Sequence, residues 1–76
     1  MEYWVSALVQ GPNEPRAWLL SSTTSETTLK AAKDKILYMR STYTVLSAWI
    51  DTFDSNNKKK TVYHECNVDT FGNVRY

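Results

Sequence analysis

The sequence predicts an α+β fold of order ββαββ, in which a four-stranded antiparallel sheet carries one helix on one of its faces. Three observations lead to this fold class. Two segments with apolar residues at every second position come first, a segment with apolar residues at spacings of three and four follows, and two more segments of period two come after it. The 76 residues suit a single small domain, which we expect to span residues 1–76.

The first two strands are predicted at Tyr3–Val9 and Ala17–Ser21. Between them, Gly11–Pro15 combines the fixed φ of proline with the permissive backbone of glycine and asparagine, as turns require. We therefore expect the two strands to be antiparallel neighbours. In the first strand, alternate side chains are assigned to the helix side of the sheet: Tyr3, Val5, Ala7 and Val9.

A helix is predicted to begin in the segment Ser22–Glu26 and to end near Ser41. Thr23 followed by Glu26 fits a capping box, and Ser25 is an alternative cap. One stripe of apolar residues recurs with helical spacing and forms the expected core face: Leu29, Ala32, Ile36 and Met39. The β-branched residues that follow Ser41 favour the end of the helix there.

The third and fourth strands are predicted at Thr44–Phe53 and Thr61–Asp69, and the tail Phe71–Tyr76 could add a short edge segment. A helix that crosses back over the sheet makes the third strand parallel to the second, so that the third strand can pair antiparallel with the first. The strand order 2-1-3-4 with a right-handed crossover satisfies these connections. One helix then covers only one face of the sheet.

The third strand is apolar on both sides, so the register of the last hairpin decides which side faces the helix. If Phe53 lies opposite Thr61, the helix covers one side of each strand: Leu46, Ala48, Ile50, Val62, His64, Cys66 and Val68. A tight Asn56–Asn57 turn would shift the pairing by one residue and bury Trp49 with Asp51. We favour the first register because it keeps Asp51 out of the core.

The outer face, which is the side of the sheet away from the helix, is predicted to carry an apolar patch. Its candidate interface residues are Trp4, Leu8, Trp49, Phe53 and Tyr63, with Val45 beside them and with Trp18 or Leu19 added from the second strand. Patches larger than a few hundred Å² commonly mark interaction sites. Alternatively, the tail folds back over the patch with its apolar residues Phe71, Val74 and Tyr76.

These features predict a small non-enzymatic interaction module that binds a protein partner, or itself as a homodimer, through the outer face. The alternative is a module for single-stranded nucleic acid that uses the same aromatic residues together with a basic set: Arg16, Lys58, Lys59 and Lys60. The formal net charge of +1 gives no global attraction to nucleic acid or to anionic lipid. Any electrostatic role must therefore be local.

No constellation of catalytic or metal-ligating residues stands out in the sequence. His64 and Cys66 are the only histidine and cysteine, and metal sites need three or four ligands. A pair such as Asp51 and Glu65 on an open sheet lacks the cleft that separates catalytic pKa values. Glycine occurs only at positions 11 and 72, which excludes a glycine-rich phosphate loop. We expect no enzymatic activity, no cofactor, no metal and no small-molecule substrate.

Localisation is predicted to be cytoplasmic. One cysteine cannot form an internal disulfide, which favours a reducing compartment. The segment that follows Met1 opens with an acidic residue, where a signal peptide needs basic ones, and no apolar run approaches the roughly 18 residues of a membrane span.

Overall fold

The computed structural model describes residues 1–11 and 16–74, and these form the predicted α+β architecture. The elements in chain order are β1 Trp4–Gln10, β2 Ala17–Ser21, α1 Leu29–Thr42, β3 Thr44–Phe53 and β4 Lys59–Cys66. All strand pairs are antiparallel, and the sheet has the order β2-β1-β3-β4, which confirms the predicted topology. The predicted turn residues Pro12–Pro15 and the last two residues of the tail, Arg75 and Tyr76, lie outside the described residues.

The helix begins later than the capping box predicts. Thr28 is the N-cap, and its hydroxyl accepts a hydrogen bond from the Ala31 N–H at 3.1 Å. Glu26 instead forms a bridge with Tyr3, in which each backbone N–H donates to the carbonyl of the other residue at 2.8 Å. The segment before Thr28 thus extends the sheet and is unavailable to the helix. Across the described ranges, no helix combines the length and the hydropathy that crossing a membrane requires.

The core lies between α1 and the two central strands, β1 and β3. It contains the predicted helix stripe and alternate residues of both strands: Val5, Ala7, Val9, Ala32, Ile36, Met39, Val45, Ala48 and Ile50. Leu29, the remaining residue of the predicted stripe, packs against this cluster at its margin. The edge strands β2 and β4 receive less cover, because the helix axis runs over their neighbours.

The β3–β4 hairpin turns through Asp54–Lys58. The Asp54 carboxylate accepts hydrogen bonds from the N–H groups of Asn56 and Lys58, both at 2.9 Å, and Asn57 takes a positive φ of 62°. Asparagine tolerates this left-handed conformation better than most residues, and aspartate favours such side-chain-capped turns. The turn therefore has three residues between Asp54 and Lys58, and a two-residue Asn56–Asn57 turn is not formed.

A β-bulge in β3 corrects the predicted position of Val45. Leu8 pairs with Ser47 and Val9 pairs with Val45, so Leu46 is an extra residue with no partner on β1. Because of this extra residue, the side chains of the preceding residues of β3 lie on the opposite face from the one that strict alternation predicts. Val45 is therefore buried in the core, although strict alternation with Trp49 and Phe53 predicts it on the outer face.

The two faces of β4 are the reverse of the prediction. Ile50 pairs with Tyr63 and Ala48 pairs with Glu65, and residues directly opposite each other share a face. Tyr63 and Glu65 therefore lie on the helix side, while His64 and Cys66 are exposed on the outer face. The prediction that Phe53 pairs with Thr61 is wrong: Phe53 pairs with Lys59, and a bulge at Val62 separates the two halves of the hairpin.

The exposed position of Cys66 provides a direct chemical test of this register. We expect the native thiol to react with a thiol-specific reagent at a rate within about tenfold of the rate in denaturant, because reactivity follows exposure. The measurement is the reaction time course of the folded and the denatured protein. A thiol that reacts only after unfolding would place Cys66 under the helix and contradict the register.

Candidate functional site

The outer face of the sheet carries four of the predicted interface residues, Trp4, Leu8, Trp49 and Phe53. Val5 and Ala7 are buried under the helix, so Trp4, Ser6 and Leu8 point to the opposite side. Trp49 pairs with Ser6, and Leu8 pairs with Ser47 on one side and with Leu19 on the other. Leu19 is thus the residue that β2 adds to this face. No helix packs on it among the described residues.

Trp18, the other candidate from β2, lies on the helix side of the sheet. It pairs with the buried Val9, and its ring meets the ring of Tyr43 edge to face at a centroid distance of 5.6 Å. This geometry is a favourable one for two aromatic rings. The choice between Trp18 and Leu19 that the sequence leaves open is thereby resolved in favour of Leu19.

Asp51 lies in the middle of the outer face and is nevertheless almost fully buried. The Thr61 hydroxyl donates a hydrogen bond to its carboxylate at 2.7 Å, and the Lys59 ammonium lies 3.6 Å from the other carboxylate oxygen. Trp4 pairs directly with Asp51. A shallow cavity of about 320 Å³ opens here, with Asp51, Trp4, Phe53 and Lys59 among its lining residues. This carboxylate is therefore already matched by a basic group.

The C-terminal tail turns on itself through Asp69–Asn73. The Asp69 carboxylate accepts hydrogen bonds from the N–H groups of Phe71 and Asn73, both at 2.9 Å, and Val68 bridges to Val74. Phe71 is 87% exposed, so its ring covers no apolar surface. The alternative in which the tail covers the outer face is therefore wrong for Phe71, and Tyr76 lies outside the described residues.

Tyr63, the fifth predicted interface residue, belongs to a polar cluster on the helix side. This Glu65 cluster consists of Arg40, Tyr63, Glu65 and Asn67. The Arg40 guanidinium and the Asn67 amide both donate to Glu65 Oε2, and the Tyr63 hydroxyl donates to Glu65 Oε1 at 3.1 Å. Lys33 adds a cation–π contact, with its Nζ 4.9 Å from the Tyr63 ring centroid. The cluster fastens the C-terminal half of α1 to β4.

The electrostatics of the Glu65 cluster follow from burial and from these donors. Burial raises the pKa of the Glu65 carboxyl, but the hydrogen bonds from Arg40, Asn67 and Tyr63 outweigh it, so that the pKa lies below its ordinary value of 4.5. Burial and then the hydrogen bond to Glu65 raise the pKa of Tyr63 above its ordinary value of 10.0. Near neutral pH the carboxylate is therefore charged and the phenol is neutral.

Sequence reasoning missed the Glu65 cluster because it assigned β4 to faces by apolarity alone. Val62, His64 and Cys66 are the less polar set of that strand, yet His64 and Cys66 face outward and Val62, at the bulge, is exposed. A usable indication was the pair Arg40 and Glu65, since a basic residue in the last turn of the helix can reach a carboxylate on a strand beneath it. Asn67 also donates to the Val45 carbonyl at 3.1 Å and so closes the end of the strand.

The basic residues of the nucleic-acid alternative do not form one surface. Arg16 precedes β2 at one edge of the sheet, whereas Lys58, Lys59 and Lys60 lie at the start of β4 on the opposite edge. Lys59 already faces the Asp51 carboxylate. Because Tyr63 lies on the helix side, Phe53, the partner of Lys59, is the aromatic residue that the pairing places beside the lysines.

Comparison with known proteins gives no family to which this chain can be assigned. No family model, no curated protein and no solved structure matches it. The function is therefore inferred from the geometry of the chain's own residues.

Proposed function

We propose that this chain is a small non-enzymatic interaction module that binds a protein partner through the outer face of its sheet. The observation that carries the proposal is the group of apolar side chains on a sheet face that no helix of the described residues covers: Trp4, Leu8, Leu19, Trp49 and Phe53. Aromatic residues of this kind are enriched at protein interfaces, where they act as anchors.

The character of the face indicates the chemistry of its partner. Its central carboxylate, Asp51, is buried and paired with Lys59 and Thr61, so the face offers little unmatched charge for a charged ligand. Trp4 and Trp49 are already partly buried and Phe53 is 44% exposed, so complete burial of these three anchors would contribute no more than about 4–9 kcal/mol before association costs of about 4–15 kcal/mol. The anchors alone therefore fall short of the roughly 8 kcal/mol that micromolar binding needs, and a micromolar partner must also contact the rim of the face.

A comparison of captured proteins tests this proposal. The wild-type chain and the variants Phe53→Ser and Trp49→Ala would be immobilised separately and exposed to the same cell extract. We expect the wild type to retain at least one protein whose yield falls about tenfold or more with either variant, since each variant removes an aromatic anchor from the face. Phe71→Ser is the matched control, because Phe71 is highly exposed and lies in the Asp69–Asn73 turn, outside the strands of the sheet.

Circular dichroism of each variant would accompany the capture, since Phe53 and Trp49 differ in exposure and only folded variants report on binding. Equal retention of the same proteins by the wild type and both folded variants would contradict the proposal. Self-association through the same face, as the sequence predicts, would give a mass that rises with concentration and falls with the same two variants.

A further inference from the structure

The edge of the sheet formed by β2 has an open row of backbone hydrogen-bonding groups. The Ser22 N–H donates to the Val5 carbonyl at 2.8 Å, and antiparallel pairing alternates from there along the strand. Trp18 and Leu20 therefore direct their N–H and C=O groups toward β1. The corresponding groups of Ala17, Leu19 and Ser21 point away from the sheet, and no strand pairs with them in residues 1–11 and 16–74.

This edge lacks the features that usually prevent pairing with another chain. The five residues of β2 include no charged residue and no proline, and Leu19 is 59% exposed. The opposite edge, β4, differs sharply because it carries Lys59, Lys60 and the exposed His64. Of the two edges, β2 is thus the one that can accept a further strand.

The helix leaves the inner side of β2 incompletely covered. Between β2 and α1 lies a cavity of about 260 Å³, lined mainly by apolar groups that include Leu20, Tyr38, Met39 and Tyr43. Trp18 keeps 38% of its surface exposed on the same side. A strand added to β2 would therefore place its inward side chains beside apolar groups on the helix side.

We propose that β2 pairs with β2 of a second copy of this chain, antiparallel about a two-fold axis at Leu19. The outward groups of Leu19 would bond to those of Leu19 in the second copy, and Ala17 would pair with Ser21 on either side of the axis. About six new backbone hydrogen bonds form in this register, and one continuous eight-stranded sheet results.

Three properties of β2 favour a second copy as the occupant. The strand has an odd length and its centre, Leu19, points its backbone groups outward, so that its row of groups is complementary to itself. The register sets Trp18 opposite Leu20 of the second copy, an aromatic–aliphatic pair on the helix side. The register also sets Arg16 of each copy opposite Ser22 of the other, so that the two Arg16 side chains lie at opposite ends of the paired strands. With a formal charge of +1, two copies repel each other little.

The surface that this pairing would bury is modest. At roughly 150–250 Å² for each large side chain, the exposed parts of Trp18, Leu19 and Tyr38 amount to about 300–400 Å² per copy. With the backbone edges included, the total falls at the lower end of specific interfaces, which are often weak or transient. The dimer should therefore form at high micromolar rather than nanomolar concentration.

Sizing of the wild type and of two lysine variants tests this inference, and Phe53→Ser distinguishes it from pairing through the outer face, to which Leu19 also belongs. Light scattering from about 10 μM to about 1 mM should show the wild-type mass rising from 8.8 kDa toward twice that value. Leu19→Lys should weaken dimerisation about tenfold or more, because it places like charges opposite each other at the axis. Leu37→Lys is the matched control, since Leu37 is 57% exposed on α1. We expect this variant to dimerise like the wild type.

Hydrogen exchange supplies a second readout. Protection of the Leu19 and Ser21 amides should increase with wild-type concentration and stay low in Leu19→Lys. The inference is overturned if the wild type stays monomeric throughout the range, if Leu19→Lys dimerises like the wild type, or if Phe53→Ser abolishes the dimer. The last result would place the dimer on the outer face and support self-association there. Equal capture of the same proteins by the wild type and by the outer-face variants, with an intact dimer, would contradict only the function proposed above.

Discussion

Replacement of Ile50 by alanine is expected to lower the free energy of unfolding by about 3–4 kcal/mol. Ile50 is completely buried between Val5 of β1 and Tyr63 of β4, beneath the helix. The change deletes three carbon atoms and leaves a cavity that the surrounding strands cannot close without losing their pairing. A domain of this length is stable by only about 4–11 kcal/mol, so the variant would lose a large part of its stability.

Urea denaturation of the wild type and of Ile50→Ala would measure the difference as a shift in midpoint at an unchanged slope. Leu37→Ala is the control, because Leu37 is mostly exposed on the helix and the change there should stay within about 0.5 kcal/mol. A loss at Ile50 no larger than the loss at Leu37 would mean that this side of β3 does not face the helix.

Replacement of Glu65 by glutamine is expected to lower the free energy of unfolding by about 1.5–3 kcal/mol near neutral pH. The Glu65 side chain is 12% exposed and accepts hydrogen bonds from Arg40, Tyr63 and Asn67. The amide keeps the shape but removes the charge, and it presents an N–H₂ group to donors that already surround the site. Breaking a fully buried pair costs about 3–5 kcal/mol, and the partial exposure of Arg40 reduces that figure here.

The same variant should change the response to acid. Because the folded protein holds the pKa of Glu65 below 4.5, the unfolded chain binds a proton first as the pH falls. The carboxylate therefore stabilises the fold above about pH 4.5, and this contribution is lost as the pH falls through the folded-state pKa. The difference between wild type and Glu65→Gln should shrink toward the acid end.

Denaturation curves of both proteins at several pH values between about 7 and 3 would measure this convergence. Glu2→Gln is the matched control, since Glu2 is exposed and its side chain has no partner among the described residues. A difference between wild type and Glu65→Gln that stays constant with pH would show that the cluster acts through shape and not through the charge of the carboxylate.

The sequence was sufficient to predict the strand order and the central core, because these depend on periodicity. The helix stripe Ala32, Ile36 and Met39 is buried, and alternate residues of β1 face it. Trp49 and Phe53 lie on the outer face as the favoured register predicts. Each of these assignments depends on a regular spacing of apolar residues within one strand or helix, and this spacing can be read from the sequence.

The faces of β4 and the position of Val45 could not be predicted, because both depend on single inserted residues. The bulges at Leu46 and Val62 each reverse the direction of the side chains along a strand, and apolarity gives no warning of a bulge when both sides of a strand are apolar. The later start of the helix has a similar cause. Glu26 pairs with Tyr3, and this long-range contact overrides a local capping pattern.

The central position of β1 in the sheet also has a consequence for the order in which the strands pair during folding. The hairpins β1–β2 and β3–β4 each join neighbours in sequence, whereas β1 pairs with β3 across the whole of β2 and α1, as in Val5 with Ile50. Closing that long loop loses chain entropy before the core can compensate, so we expect the pairing of β1 with β3 to limit the folding rate. In this order of events the two hairpins form first, and the helix that links them packs over β1 and β3 once they have paired.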